Sequence, residues 1–132
     1  MRPWILTAAA VNGLIAVAMG AYAAHGLATV LDAGRLGWLE TAARYQMWHA
    51  LALLGLAALM RPRDLARPAL EVAAWAFLAG IVMFSGSLFI LALTGWRGVA
   101  WVTPIGGAAY LVGWAALIWH GVAAGRSRGD GS

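Results

Sequence analysis

Apolar residues run through this chain in four long stretches, roughly 4–25, 43–60, 69–94 and 98–121, with charged residues gathered in the gaps between them. A helix needs ~20 apolar residues to cross a hydrocarbon core ~30 Å thick, and most of these runs supply them. The second reaches that length only if its helix begins near Gly37 and takes in the polar stretch RYQMWH at 44–49. The pattern predicts an all-α protein, an integral membrane four-helix bundle, with one transmembrane domain over 1–125 and a short polar tail over 126–132. The runs follow almost back to back, which leaves no room for a soluble domain.

Composition sharpens this picture. Of 132 residues, 63% are hydrophobic and 11% charged, too few to build the polar coat that a small soluble domain requires. The surface must be solvated mostly by lipid. Cysteine is absent, which excludes disulfides, thiolate metal sites and cysteine nucleophiles. The nine basic residues are all arginine and give a net charge of +4. They stand at the ends of apolar runs, where they snorkel and set topology, so the excess points away from nucleic acid.

Four crossings bring the N-terminus, the central loop and the C-terminus to one side. That side holds Arg2, Arg61, Arg63, Arg67, Arg126 and Arg128 against Asp64 and Asp130, with Glu71 unassigned. The other side holds Arg35, Arg44 and Arg97. The positive-inside bias therefore predicts both termini in the cytoplasm, in a multi-pass membrane protein. Ala21-Tyr22-Ala23 resembles a signal-peptide cleavage site, but the run before it is too long and Asn12-Gly13 interrupts it, so no cleavage is expected. Trp4, Trp38, Trp96, Trp101 and Trp119 fall near run ends as interfacial anchors, whereas Trp48, Trp75 and Trp114 fall inside as packing groups.

Helices in lipid gain little from burying apolar surface against one another, so small residues that allow close approach carry the packing. Candidate small-residue seams are Ala9-xxx-Gly13 and Ala16-xxx-Gly20-xxx-Ala24 in the first run, Ala76-xxx-Gly80 in the third and Ala109-xxx-Gly113 in the fourth. In the fourth, Thr103-Pro104 followed by Gly106 and Gly107 predicts a kink near Pro104, about two turns into the span.

Depth read from the helical rise brings the polar side chains together. His25 closes the first span, and His49 lies roughly 9 Å below the outer boundary in the second. Ser85, Gly86 and Ser87 lie in the outer half of the third, and Thr103 in the outer half of the fourth. Tyr45 and Gln46 share a helix face with His49. The expected site is a polar pocket in the outer leaflet formed by His25, Arg44, Tyr45, Gln46, His49, Ser85, Ser87 and Thr103. Gly20, Gly86, Pro104, Gly106 and Gly107 are the helix-breaking or packing positions around it. Asn12, near mid-membrane, stands apart. An ionisable residue inside a membrane is a functional-site hypothesis by default, and His49 is that residue. The competing reading makes His49 an interhelical tie, bonded to Gln46, Ser87 or a backbone carbonyl; Ser85 and Ser87, taken by themselves, are expected to bond the i−4 carbonyl of their own helix. His120 lies near the other surface, remote from this cluster.

The stretches GAYAAHGL (20–27), WLETAARYQMWHALALLGL (38–56), FSGSLFILALTG (84–95) and WVTPIGGAAYLVGW (101–114) stand in order along the chain. Together they resemble domain-of-unknown-function family 423, the YgdD-like small membrane proteins. The resemblance covers nearly the whole chain and implies a four-span, multi-pass protein of the bacterial inner (plasma) membrane; it implies no activity. Carried onto this sequence, the matching positions are Gly20, His25, Thr41, Tyr45, Gln46, His49, Ser85, Gly86, Ser87, Leu88, Thr103, Pro104, Gly106 and Gly107. Phe89 replaces a tyrosine that the pattern often shows.

Three functions compete on these residues. The first is a non-enzymatic protein whose pocket binds a small polar solute, a lipid headgroup or a proton. The second is an accessory bundle that packs against another membrane protein or a second copy. The third is a redox subunit in which His25 and His49 ligate haem or a metal, or bind a quinone. Two histidines without metal-type spacing make the third the weakest, so no catalytic residue, no metal and no cofactor is assigned, and membrane lipid is the first expected partner.

Overall fold

Pro3 opens the first helix, where its missing N–H is one that no helix could satisfy. In the computed structural model, which describes residues 2–61 and 67–131, α1 spans Pro3–Ala21 and continues through a π-helical turn at Tyr22–Gly26. Asp32 then caps α2 (Ala33–Leu59) by accepting the Arg35 N–H at 2.9 Å. α2 therefore starts ahead of Gly37 and carries the polar stretch well inside one unbroken helix. Next come α3 (Arg67–Gly80), a second π-helical turn at Ile81–Ser85 and α4 (Gly86–Thr94), which form one rod. Gly95 ends it in the left-handed conformation (φ 71°) that glycine adopts without steric cost. A 3₁₀ turn at Arg97–Val99 leads into α5 (Val102–Gly129). Arg63 and Asp64, counted above in the central loop, lie outside the described residues.

Pro104 does not kink the fourth rod. It sits in the first turn of α5, where backbone N–H groups have no intrahelical partner to lose, and α5 runs unbroken to Gly129. Thr103 is likewise at the helix start, not two turns in. The irregular backbone belongs to the first and third rods, as π-helical turns that no proline or glycine pair announces.

Three of the four rods, Pro3–Gly26, Arg67–Thr94 and Arg97–Gly129, are long and apolar enough to cross a membrane. α2 matches them in length, but its first half carries Arg35, Glu40 and Arg44. Leu14 and Leu111 are 72% exposed, Ile118 69% and Trp119 66%, a surface tolerable only in lipid. The all-helical bundle packs α1 on α2 and α3 on α5, with the α3–α4 rod between α2 and α5.

Close approaches join the α3–α4 rod to α5. A Cβ at Gly106 would strike the Phe84 backbone, one at Gly113 the Phe77 ring, and one at Gly80 the Tyr110 ring. Large and small residues thus alternate reciprocally along the two helices, as close packing without a hydrophobic drive requires. In the first run the seam differs from expectation: Ala9 and Ala16 are buried, but Gly13 and Gly20 face open space.

Polar groups tie both ends. Glu71 pairs with Arg2 at 2.7 Å and Arg67 at 3.3 Å, joining the starts of α1 and α3. At the opposite end Arg35 Nε donates to the Ala92 carbonyl at 2.7 Å, supplying a cation to the last turn of α4.

Candidate functional site

The expected cluster separates into four bonded groups. His49 is buried on α2, stacked on the Tyr110 ring of α5 with centroids 3.6 Å apart and planes 9° from parallel. Its Nδ1 lies 2.7 Å from the Tyr45 carbonyl, one turn back, and its Nε2 accepts the Trp114 indole N–H at 3.1 Å. A carbonyl can only accept and an indole N–H can only donate, so this geometry requires the neutral ring protonated on Nδ1. Both ring nitrogens are occupied. His49 is a tie between α2 and α5, made to a backbone carbonyl and a tryptophan; Gln46 and Ser87 are not its partners.

Gln46 turns the other way. Its Nε2 donates to Asn12 Oδ1 at 2.9 Å, and Asn12 Nδ2 donates to the Ala8 carbonyl at 2.8 Å. Asn12, set apart in the sequence reading, is therefore the α1 partner of α2. Gln46 Oε1 is buried without a partner among the described residues.

The serines bridge rods. Ser85, fully buried at the end of the π-helical turn, donates to the Ala42 carbonyl of α2 at 2.8 Å and lies 3.5 Å from the Tyr110 hydroxyl. Its carbonyl partner is on another helix, against the expectation of a bond within its own. Ser87 bonds the Phe84 carbonyl at 2.9 Å and the Thr103 hydroxyl at 2.5 Å, which fastens α4 to the start of α5. Gly86 keeps the helical path between them, and a Cβ there would meet nothing.

His25 and Arg44 join none of these groups. His25 is exposed in the turn that ends the first rod. As a ligand pair His25 and His49 fail, since His49 offers no free nitrogen. No group of three His, Cys, Asp or Glu side chains stands together among the described residues.

What remains open is a groove of about 750 Å³ between α2 and α5. Tyr45, Trp48, His49 and Leu51 form one wall; Pro104, Gly107, Ala108, Leu111 and Trp114 form the other, with Phe84 and Tyr110 between them. The walls are almost wholly apolar. Gly107 widens the groove, for a Cβ there would make only an ordinary contact with Phe84. The Tyr45 hydroxyl and the Trp48 indole N–H are groove polar groups that make no hydrogen bond among the described residues. Tyr110 and Trp114, central to the arrangement, could have been found by asking which fourth-span residues lie one and two turns beyond Gly106.

An all-helical bundle with a lipid-compatible surface, internal polar ties and a lateral groove defines a small multi-pass membrane protein. The chain belongs to the DUF423 family, described as a protein of unknown function, whose model matches residues 19–107. It is 43% identical to a UPF0382 membrane protein of Haemophilus influenzae, over 89% of this chain and 92% of that one. It is also 43% identical to the UPF0382 inner membrane protein YgdD of Escherichia coli K12, over 87% and 86% of the two chains. A UPF0382 membrane protein of Staphylococcus saprophyticus is 42% identical over 83% of this chain and 88% of its own. The chain is thus a bacterial-type inner membrane protein of that family. No solved structure matches it.

Proposed function

We propose that this protein binds a bilayer-resident lipid in the α2–α5 groove and carries out no chemistry of its own. The observation behind this reading is the contrast between two sets of groups. His49, Gln46, Ser85 and Ser87, which a polar solute would need, already bond within the protein. The groove beside them offers apolar walls and two uncommitted donors, the Tyr45 hydroxyl and the Trp48 indole N–H. Such a wall suits an acyl chain, and the hydroxyl suits an ester carbonyl near its head.

The same reading takes α2 as a fourth crossing, with both termini in the cytoplasm. At 27 residues α2 is about 40 Å long, the thickness of a bilayer with its headgroups. Because the chain lacks cysteine, single cysteines at Ser127 and Gly98 can report sidedness without background.

Lipid extracted from protein purified out of native membrane and identified by mass spectrometry tests the proposal. The parent should retain lipid that Gly107→Leu loses while keeping its thermal stability, and Tyr45→Phe should retain less. Retention equal to that of an unrelated helical membrane protein would reject lipid binding. Co-purification of a stoichiometric membrane protein, released by Gly107→Leu, would instead favour the accessory role.

A further inference from the structure

A second groove runs along the α1–α2 face, with two opposite charges at its mouth. Its deeper part, about 400 Å³, lies among Ala9, Gly13, Val17, Met47, Ala50 and Leu54. Its outer part, about 330 Å³, lies among Ala16, Gly20, Glu40, Arg44, Met47 and Trp48. Met47 borders both, and the two parts follow one another along the same α1–α2 face. Gly13 and Gly20 keep this track open, since a Cβ at either would meet nothing within 4 Å. From Leu54 to Glu40 the helical rise gives about 21 Å, a headgroup's depth plus one leaflet.

Glu40 and Arg44 are one turn apart, in the order that favours an ion pair on a helix. Neither makes a hydrogen bond or ion pair among the described residues. Side chains on a helix lean toward its N-terminus, so Arg44 leans toward the level of Glu40, at the outer end of the track. An anion and a cation left unpaired at the edge of hydrocarbon call for external partners of opposite sign.

We propose that this track binds one zwitterionic aminophospholipid, its phosphate on Arg44, its ammonium on Glu40 and an acyl chain along Gly13 and Gly20. Trp48 borders the mouth as well, and an aromatic ring there adds attraction for the same ammonium. An anionic phospholipid would satisfy Arg44 but set its charge against Glu40. The track adjoins the α2–α5 groove at Trp48 and Leu51, which line both, but Glu40, Arg44, Gly13 and Gly20 border the track alone, and lipid in one groove does not require lipid in the other.

The test reconstitutes the full chain in vesicles of equimolar phosphatidylethanolamine and phosphatidylglycerol, re-extracts it and quantifies the retained lipid. Phosphatidylethanolamine should be enriched, and Glu40→Gln should lower its preference over phosphatidylglycerol by about tenfold, as loss of one charged contact implies. Arg44→Gln should reduce retention of both lipids, and Gly13→Leu should reduce it with both charges intact. Gly107→Leu, which fills the other groove, should leave the preference unchanged. No enrichment in the parent, or an unaltered preference in Glu40→Gln, overturns the proposal. Loss of the preference in Gly107→Leu instead of Gly13→Leu would assign it to the α2–α5 groove and also overturn it. Thermal unfolding of each variant separates loss of binding from loss of fold.

Discussion

Trp114 donates its indole N–H to Nε2 of His49, 3.1 Å away, and so joins α5 to α2 across the back of the groove. Because the other ring nitrogen is committed to the Tyr45 carbonyl, this bond defines one histidine tautomer and one ring orientation. Interhelical hydrogen bonds in membranes average ~0.6 kcal/mol and reach ~1.7 kcal/mol. A double-mutant cycle with His49→Ala and Trp114→Phe, followed by unfolding in detergent, should give a coupling energy within that span. A coupling of zero would remove His49 from the role of brace.

Gly106 and Gly13 make a matched pair of opposites. Gly106→Ala drives a methyl group into the Phe84 backbone, which cannot turn aside, and should cost about 1–3 kcal/mol. Gly13→Ala meets open space and gains helix propensity, so it should be neutral or slightly stabilising. Thermal melts of the two variants in one detergent compare them directly.

Asn12 and Gln46 should behave as a unit. Asn12→Leu leaves a second buried Gln46 atom unsatisfied and should destabilise by about 1–3 kcal/mol. Adding Gln46→Leu removes the orphaned amide and should recover most of that loss. Equal stability of the single and double variants would contradict the pairing.

Arg35 should be needed for the join between α2 and α4. Arg35→Ala frees the Ala92 carbonyl and withdraws a cation from the last turn of α4, an effect of about 0.3–1 kcal/mol. Hydrogen exchange should then quicken in α4 and the turn at Gly95 before it changes in α3.

Much of the fold was legible because lipid imposes a simple rule on sequence. Apolar runs of spanning length located the rods, and the polar stretch at 44–49 was rightly placed inside a longer second helix. Pro104 misled, because its effect depends on its position from the helix start, and that start is set by the 3₁₀ turn before it. The π-helical turn at Ile81–Ser85 gave no local signal. It accompanies a bond from Ser85 to a different helix, which local propensity cannot encode.

The candidate residues were legible as polar groups in need of partners, and not in the direction each one faces. His49, Ser85 and Gln46 are buried inside the bundle, but helical rise does not say which neighbour each residue faces. Gln46 faces α1 and His49 faces α5, although they are three positions apart on one helix. The sequence by itself determined membrane residence, the helices and the residues that need polar partners, because hydrocarbon tolerates no unsatisfied backbone and few free charges. Only the tertiary structure decided who those partners are. Rotation of each helix about its axis follows from close packing such as Gly106 on Phe84, and that packing turned an expected polar pocket into four internal ties beside an apolar groove.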